Sequence, residues 1–501
     1  MTVYADYSRA KVGWFFGLTG WQLGMLAATS LPVWWALRAQ HYRDAVLALL
    51  AWLLVAGLTV IPVRGRSAVG WLLATAGVAV GGLTGWSTWR AAGTRGQIAD
   101  LDTPDLPGVL SGVRIHDGSP QGPQMIRPAL VQNHNDRTWA ITAQVTHPGV
   151  GLLDADQRAR HGDGLSELLD VAARTEMVDE LLFLVRTVPE DGAEREQWLA
   201  THRRADAHPL SSTVNDGLQQ VLTRASVRTE AFVTVVVREA RLARPARESG
   251  GGLAGRTGVL AAVMAEVEAQ LRGGMGMTSV SWLTSPQLAL ACRTGFAPAD
   301  RAPVVQALAA AAAGVDVNTD VPWAMAGPSA AETSVRHYRH DAWVSVSSTI
   351  KLPLKGAAVG ALAPVLTPSE PGERRSLLVA YPIVALSKAG RHSATSEWAA
   401  DMGEALRTRA GVRQSTKASD EAARVRGLDR KLARGNSLTL PYAVCTVTVP
   451  ATASPIEAGR RLDASVRRAG FAPLRLDMAL DAAMAASTVP LGVSLTKRGD
   501  R

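Results

Sequence analysis

Residues 12–37 read VGWFFGLTGWQLGMLAATSLPVWWAL, 26 positions between Lys11 and Arg38 without a charged side chain. A second uncharged run covers 45–63 and a third 67–89. Trp14, Trp21, Trp34, Trp35, Trp52, Trp71, Trp86 and Trp89 all lie in these runs. A helix crosses a bilayer core with about 20 apolar residues, and tryptophan favours the headgroup level, where its ring is buried and its N–H stays wet. The runs therefore predict a membrane anchor at the front of the chain. The first is too long for a secretory h-region and leads straight into the second with no small-x-small cleavage site, so the anchor is read as retained.

Charge sets the expected topology. Three spans would leave Arg9, Lys11, Arg64 and Arg66 inside and Arg38, Arg43, Arg90 and Arg95 outside, with no bias. Two spans put six basic residues inside and two outside, which the positive-inside rule prefers. The third run is also diluted by Gly70, Gly77, Gly81, Gly82 and Gly85. It reads as a membrane-associated segment lying at the interface or packed on the hairpin by its small residues. The expectation is a multi-pass protein of a bacterial inner membrane, with a two-helix hairpin and cytoplasmic soluble domains.

The same charges account for most of the net +9. Residues 1–95 hold eight Arg and Lys against Asp6 and Asp44, and the remaining +3 is spread over the rest of the chain. That is no footprint for direct nucleic-acid binding. Only seven of the 53 basic residues are Lys, amid abundant Ala and Gly, which fits a GC-rich bacterial source. Cys292 and Cys445 are too few for a disulfide framework and read as buried free thiols.

Behind the anchor (1–95) comes a linker at 96–112, rich in Asp, Gly and Pro. A first αβ domain is expected over 113–300. It has strands at 129–132, 138–145, 181–188, 231–237 and 278–283, helices at 153–173 and 259–271, and another from Ser285-Pro286. A second αβ domain is expected over 301–501. Its strands are 342–350, 376–382 and 442–449, and a polar helical insertion occupies 387–434. Its end reads strand, helix 455–468, strand 474–476 and helix 477–486, closed by 489–492. The fold class is α+β: a transmembrane helical hairpin followed by two layered αβ domains, the sheet covered on one side.

Motifs for chemistry are scarce. The dipeptide Gly-Lys does not occur, which excludes a P-loop, and there is no G-x-S-x-G, H-E-x-x-H or C-x-x-C. Gly250, Gly252 and Gly255 fit G-x-G-x-x-G, but a dinucleotide site needs them directly behind a strand. Residues 242–249 intervene, so a flexible linker is the favoured reading. His134 reads as a turn residue. In Arg336-His337-Tyr338-Arg339-His340-Asp341, an extended backbone puts His337 and Arg339 on one face and Tyr338 and His340 on the other. A His–Asp pair suits acid–base work, yet no nucleophile or metal partner is close in sequence, and a structural polar cluster is favoured. No catalytic, cofactor-binding or metal residue is assigned, and no cofactor is implied.

The order of parts resembles a family of actinobacterial integral membrane proteins associated with conjugative elements and type IV secretion-like machines. The resemblance rests on Tyr338-Arg339-His340-Asp341 before a Val-Ser-Val strand, on 375–382 (Arg-Ser-Leu-Leu-Val-Ala-Tyr-Pro), on 442–448 and on 487–492. The layout is also similar to the small two-helix inner-membrane subunit of type IV secretion joined to the N-terminal domain of the secretion ATPase. The resemblance implies a non-enzymatic scaffold in a hetero-oligomeric complex with other membrane subunits. It also implies that the ATPase is a separate protein, since its nucleotide-binding domain would begin where this chain stops. Two alternatives stay open: a peripheral membrane subunit of a type VII secretion complex, and a membrane-attached transferase using the Gly250 loop or the His340 cluster.

Overall fold

The computed structural model describes residues 20–60, 68–351, 360–384 and 437–495, apart from positions 86, 98–99, 150, 152, 191, 205, 207 and 226. The insertion expected at 387–434 lies outside the described residues. What is described falls into two units, one ending at Thr84 and one beginning at Gly85.

The first unit holds α1 (Gly20–Arg38), α2 (Tyr42–Val60) and α3 (Ala68–Thr84). Leu- and Ala-rich stretches are strong helix formers, and Asp44 sits in the first turn of α2, where the helix dipole favours a negative charge. Trp52 Nε1 donates to the Leu26 carbonyl at 3.0 Å, tying the middle of α2 to the middle of α1 as an antiparallel hairpin. The outward side chains are apolar: Leu31, Trp34, Trp35, Leu47, Leu50 and Leu54 are all exposed. Among the described residues, α2 is the one helix long and apolar enough to cross a membrane by length and composition.

The second unit opens with β1 (Thr88–Arg90). Its first half runs β2 (Val113–Asp117), β3 (Ala129–Asn133), β4 (Thr138–Thr146), α4 (Ala155–Arg174) and β5 (Val178–Pro189). It continues through α5 (Ala193–His202), α6 (Pro209–Ala225), β6 (Val227–Arg238), α7 (Glu239–Glu248), α8 (Gly252–Gly273), β7 (Ser279–Trp282) and α9 (Ser285–Phe296). After α10 (Arg301–Ala312) the second half runs β8 (Ala330–Thr333), β9 (Tyr338–His340), β10 (Trp343–Lys351), α11 (Ala363–Leu366) and β11 (Arg374–Val384). It ends with β12 (Leu438–Thr439), β13 (Tyr442–Pro450), α12 (Pro455–Arg468), β14 (Ala472–Arg475) and α13 (Leu480–Thr488).

These strands form one sheet, in the order β1-β8-β9-β10-β13-β11-β5-β6-β4-β3-β2, with β12, β14 and β7 paired off that path. Two separate αβ domains divided at residue 300 were expected, and the structure corrects this. β11 pairs with β5 over eight positions, from Arg375↔Thr187 to Pro382↔Glu180. Both halves share one cluster of buried apolar side chains, in which Leu182, Leu184 and Phe232 join Leu378, Tyr442 and Val444.

The register shows an internal duplication. Thr142↔Thr234 in the β4–β6 pair corresponds to Ser347↔Thr446 in the β10–β13 pair. With the same offset, β7 on β4 (Ala143↔Trp282, Thr146↔Ser279) corresponds to β14 on β10 (Ser348↔Arg475, Lys351↔Ala472). The halves meet at β5 and β11, where the equivalent residues Leu184 and Leu378 face each other. A pseudo-two-fold axis therefore passes through the centre of the sheet.

Helices cover both faces, not one as expected. α9 and α13 lie on the shared-core face. On the other face, Leu168, Leu260, Met264 and Val267 of α4 and α8 pack on Trp139, Ile141, Val233 and Val235. Beside them, Leu462 and Val466 of α12 pack on Val346, Cys445 and Val447. Burial on both faces explains why these strands read as near-continuous apolar runs.

Two boundaries also move. Thr88–Arg90, expected within the anchor, is a strand paired with β8, so the anchor boundary expected at 95 falls back to Thr84. The expected linker 96–112 is packed into the fold, with Leu106 and Leu110 buried in the shared core.

Candidate functional site: a sealed polar cluster at the junction of the halves

Charged residues inside strands otherwise built of Val and Leu need a partner for every charge. Arg186 interrupts β5 and Glu230 stands beside it on β6. Both Arg186 Nε and Nη2 donate to Glu230 Oε2, at 3.0 and 2.6 Å. Arg186 Nη1 donates to the Ala291 carbonyl at 2.9 Å and to the Thr488 carbonyl at 3.1 Å. One guanidinium thus ties α9 to the carboxyl end of α13, where an unpaired carbonyl and the helix dipole favour a cation.

Arg374, on β11 of the other half, plays a matching part. Its Nη1 donates to the Thr294 carbonyl at 2.8 Å and its Nη2 to Thr448 Oγ1 at 3.0 Å. Burial and the neighbouring charge of Arg186 pull its pKa down to about 9, with Glu230 opposing. From Thr448 the chain of bonds continues to Ser345 Oγ at 2.7 Å and on to His340 Nε2 at 2.7 Å. His340 is fully buried with the Phe296 ring at 5.9 Å. Burial, then the charge of Arg374, lowers its pKa to about 3, so it is neutral at physiological pH; the Phe296 carbonyl opposes and Arg293 adds to the lowering.

On the opposite face Arg375 donates through Nε and Nη2 to Glu373 Oε2, at 3.1 and 2.9 Å. Glu373 Oε1 accepts from Arg461 Nε of α12 at 2.6 Å. Burial opposes the charge on Glu373, but the Ser369 N–H and the two arginines outweigh it and hold its pKa below the usual carboxylate range.

The residues singled out in sequence fall as follows. Tyr338 and His340 are buried, while His337 is half-buried and Arg339 exposed, the alternation expected of an extended segment. Asp341 does not pair with His340. It accepts from the Ser329 N–H at 2.6 Å and from Arg293 Nη1 at 3.1 Å. Sequence proximity offered His340 no nucleophile, but the fold brings Ser345 to it. A Ser–His pair at hydrogen-bond distance is the start of a nucleophilic site, yet here both residues are 1% exposed or less and the serine is spent on Thr448.

Gly250, Gly251 and Gly252 turn the chain between α7 and α8 with φ of 101°, 74° and 59°, left-handed conformations that glycine adopts without strain. The segment expected to be a linker before them is the helix α7. A Cβ on Gly255 would meet the Ala246 carbonyl at 2.1 Å, so this glycine serves close packing of α7 on α8. His134 sits exposed in the β3–β4 turn, where Asn133 Oδ1 accepts from the backbone N–H groups of Asn135 and Asp136. Cys292 and Cys445 are buried free thiols, each pushed up to about 12 by burial. Among the described residues, no group of three or more His, Cys, Asp or Glu side chains is placed to hold a metal ion.

No protein-family profile matches the chain, and no curated protein is similar to it.

Proposed function

We propose that this chain is a membrane-anchored scaffold that acts through protein contacts rather than catalysis: an inner-membrane subunit of a type IV secretion-like or conjugative transfer machine that recruits a separate cytoplasmic ATPase. The observation carrying the reading is the contrast in how side chains are spent. Leu31, Trp35, Leu47 and Leu54 of the helical hairpin face outward, an arrangement that a bilayer covers and water does not. In the αβ unit the reactive side chains His340, Ser345, Cys292 and Cys445 are buried.

The reading takes two spans with both chain ends in the cytoplasm; the distribution of basic residues supports that orientation, and the Trp52 bond supports α1 and α2 acting as a pair. The sheet then faces the compartment where a secretion ATPase works. The transferase alternative loses its best constellation, since substrate has no path to a Ser–His pair that is sealed in the core.

The test is affinity purification of the full chain from native membranes in mild detergent. A P-loop ATPase and further membrane subunits should accompany it in fixed ratio. A clean, monodisperse protein with neither would overturn the reading.

A further inference from the structure

We propose that α6 lies on the bilayer surface as an amphipathic helix, its stripe of Leu210, Val214, Leu218 and Val221 in contact with lipid acyl chains. The inference rests on the membrane attachment in the reading above and goes beyond it, since it assigns a second lipid contact to the αβ unit.

None of the described side chains of α6 is buried. Leu210, Val214, Leu218 and Val221 are 66%, 52%, 45% and 62% exposed. Spacings of four, four and three residues put all four on one side of the helix. The two longest helices of the unit bury the same kind of residue, Leu168 and Leu169 on α4 and Leu260 and Val267 on α8. The described side chains of α6 do not.

Its remaining surface says what covers the stripe. Asp216 and Arg224 are its only charged residues, and the polar positions are otherwise Ser, Thr, Asn and Gln. Asp216 is already engaged by Arg203 at 3.1 Å. A nearly neutral helix cannot be selected by charge, so its binding energy comes from apolar burial alone.

A second copy of the chain is the competing occupant. Four such side chains offer roughly 400 Å², about half of the roughly 800 Å² per partner that a stable protein interface buries. The bilayer has no such requirement. It is also always near, because three residues separate the end of α3 at Thr84 from β1 at Thr88, a tether of roughly 10–14 Å. Such a tether gives the membrane a high effective concentration. Trp198 on α5, 59% exposed, adds a side chain of the type that favours the headgroup level.

The test uses the full chain reconstituted in vesicles of phosphatidylcholine and phosphatidylglycerol, with or without lipid brominated on its acyl chains. Val214→Cys is labelled with a polarity-sensitive fluorophore, while the native Cys292 and Cys445 are buried and stay unlabelled. The emission should shift to the blue, lose intensity on brominated lipid and resist quenching by aqueous iodide. A label at Ser212→Cys, on the side opposite the stripe, should remain open to iodide. Adding Leu218→Asp to the Val214→Cys chain should restore iodide access there.

A Val214 label open to iodide overturns the proposal. So does a label shielded from iodide but untouched by brominated lipid: protein then covers the stripe, a second copy if dilution in lipid unshields it and the same chain if not. Resistance to carbonate extraction is read on the same vesicles. Extraction of the chain would defeat the anchor itself, whereas a firmly held chain with an iodide-open label defeats only the placing of α6.

Discussion

The two halves of the sheet share a register and differ in what fills it. In the first half, the positions facing α9 and α13 are Ala140, Thr142, Thr234 and Val236; the equivalent positions in the second are Ser345, Ser347, Thr446 and Thr448. The hydroxyl pair survives in both, Thr142 to Thr234 at 2.9 Å and Ser347 to Thr446 at 2.6 Å. Around it one half is apolar and the other is a run of hydroxyls ending at His340 and Arg374. The apolar half leaves room for backbone: Gly492, at φ 75°, lies so close that a Cβ there would come within 2.6 Å of Ala140 Cβ. Hydrogen-bonded ladders fix the geometry of a sheet, and side chains can drift from apolar to polar provided each buried polar group keeps a partner.

The largest effect should come at the seam. Glu230→Gln removes the carboxylate paired with Arg186, beside a second buried guanidinium at Arg374. A loss of about 3–5 kcal/mol is expected, read as a fall in the thermal midpoint of the detergent-solubilised chain. A change within error would mean that the seam does not hold the halves together.

Acid should act next, and most strongly through the polar half. The folded-state pKa of His340 is depressed to about 3, so the unfolded chain binds the extra proton as pH falls below about 6.5. The contribution is complete above that pH and is lost as pH drops towards 3. Between pH 6.5 and 5 it amounts to about 2 kcal/mol. His340→Gln, which keeps a hydrogen-bonding partner for Ser345, should flatten this slope, and an unchanged slope would remove His340 from the account.

The smallest effect compares the hydroxyl pairs. Thr142→Val should cost about 1–2 kcal/mol, because it unpairs Thr234 Oγ1 and the Pro490 carbonyl together. Ser347→Ala should cost less than about 1 kcal/mol, because Thr446 keeps Ser487 at 2.6 Å. Equal costs would show that the second half gains nothing from its longer chain of hydroxyls.

The individual elements were largely legible. Near-continuous apolar runs marked β5, β6, β11 and β13, and Thr284 with Gln287 forms a capping box where α9 was expected to open. The duplication went unread although its trace is present: 231–237 and 443–449 both follow Ala-x-x-Thr-Val-x-Val. The merging of two expected domains was not legible, because periodicity reports which face of a strand is buried and not which distant strand pairs with it. The cluster had a weaker signal. A lone Arg186 within an apolar strand and a pair Arg374-Arg375 opening another mark buried charges that must find partners, but among the partners of Arg186 and Arg374 are the backbone carbonyls of Ala291, Thr294 and Thr488, which no motif reveals.

The scaffold reading depends on which side of the membrane the sheet occupies. A reporter that is active only outside the cytoplasm, fused after Arg501, measures this. Two spans predict silence, with the same fusion detectable as full-length protein. A strong signal would put the sheet across the membrane from any cytoplasmic ATPase and contradict the account.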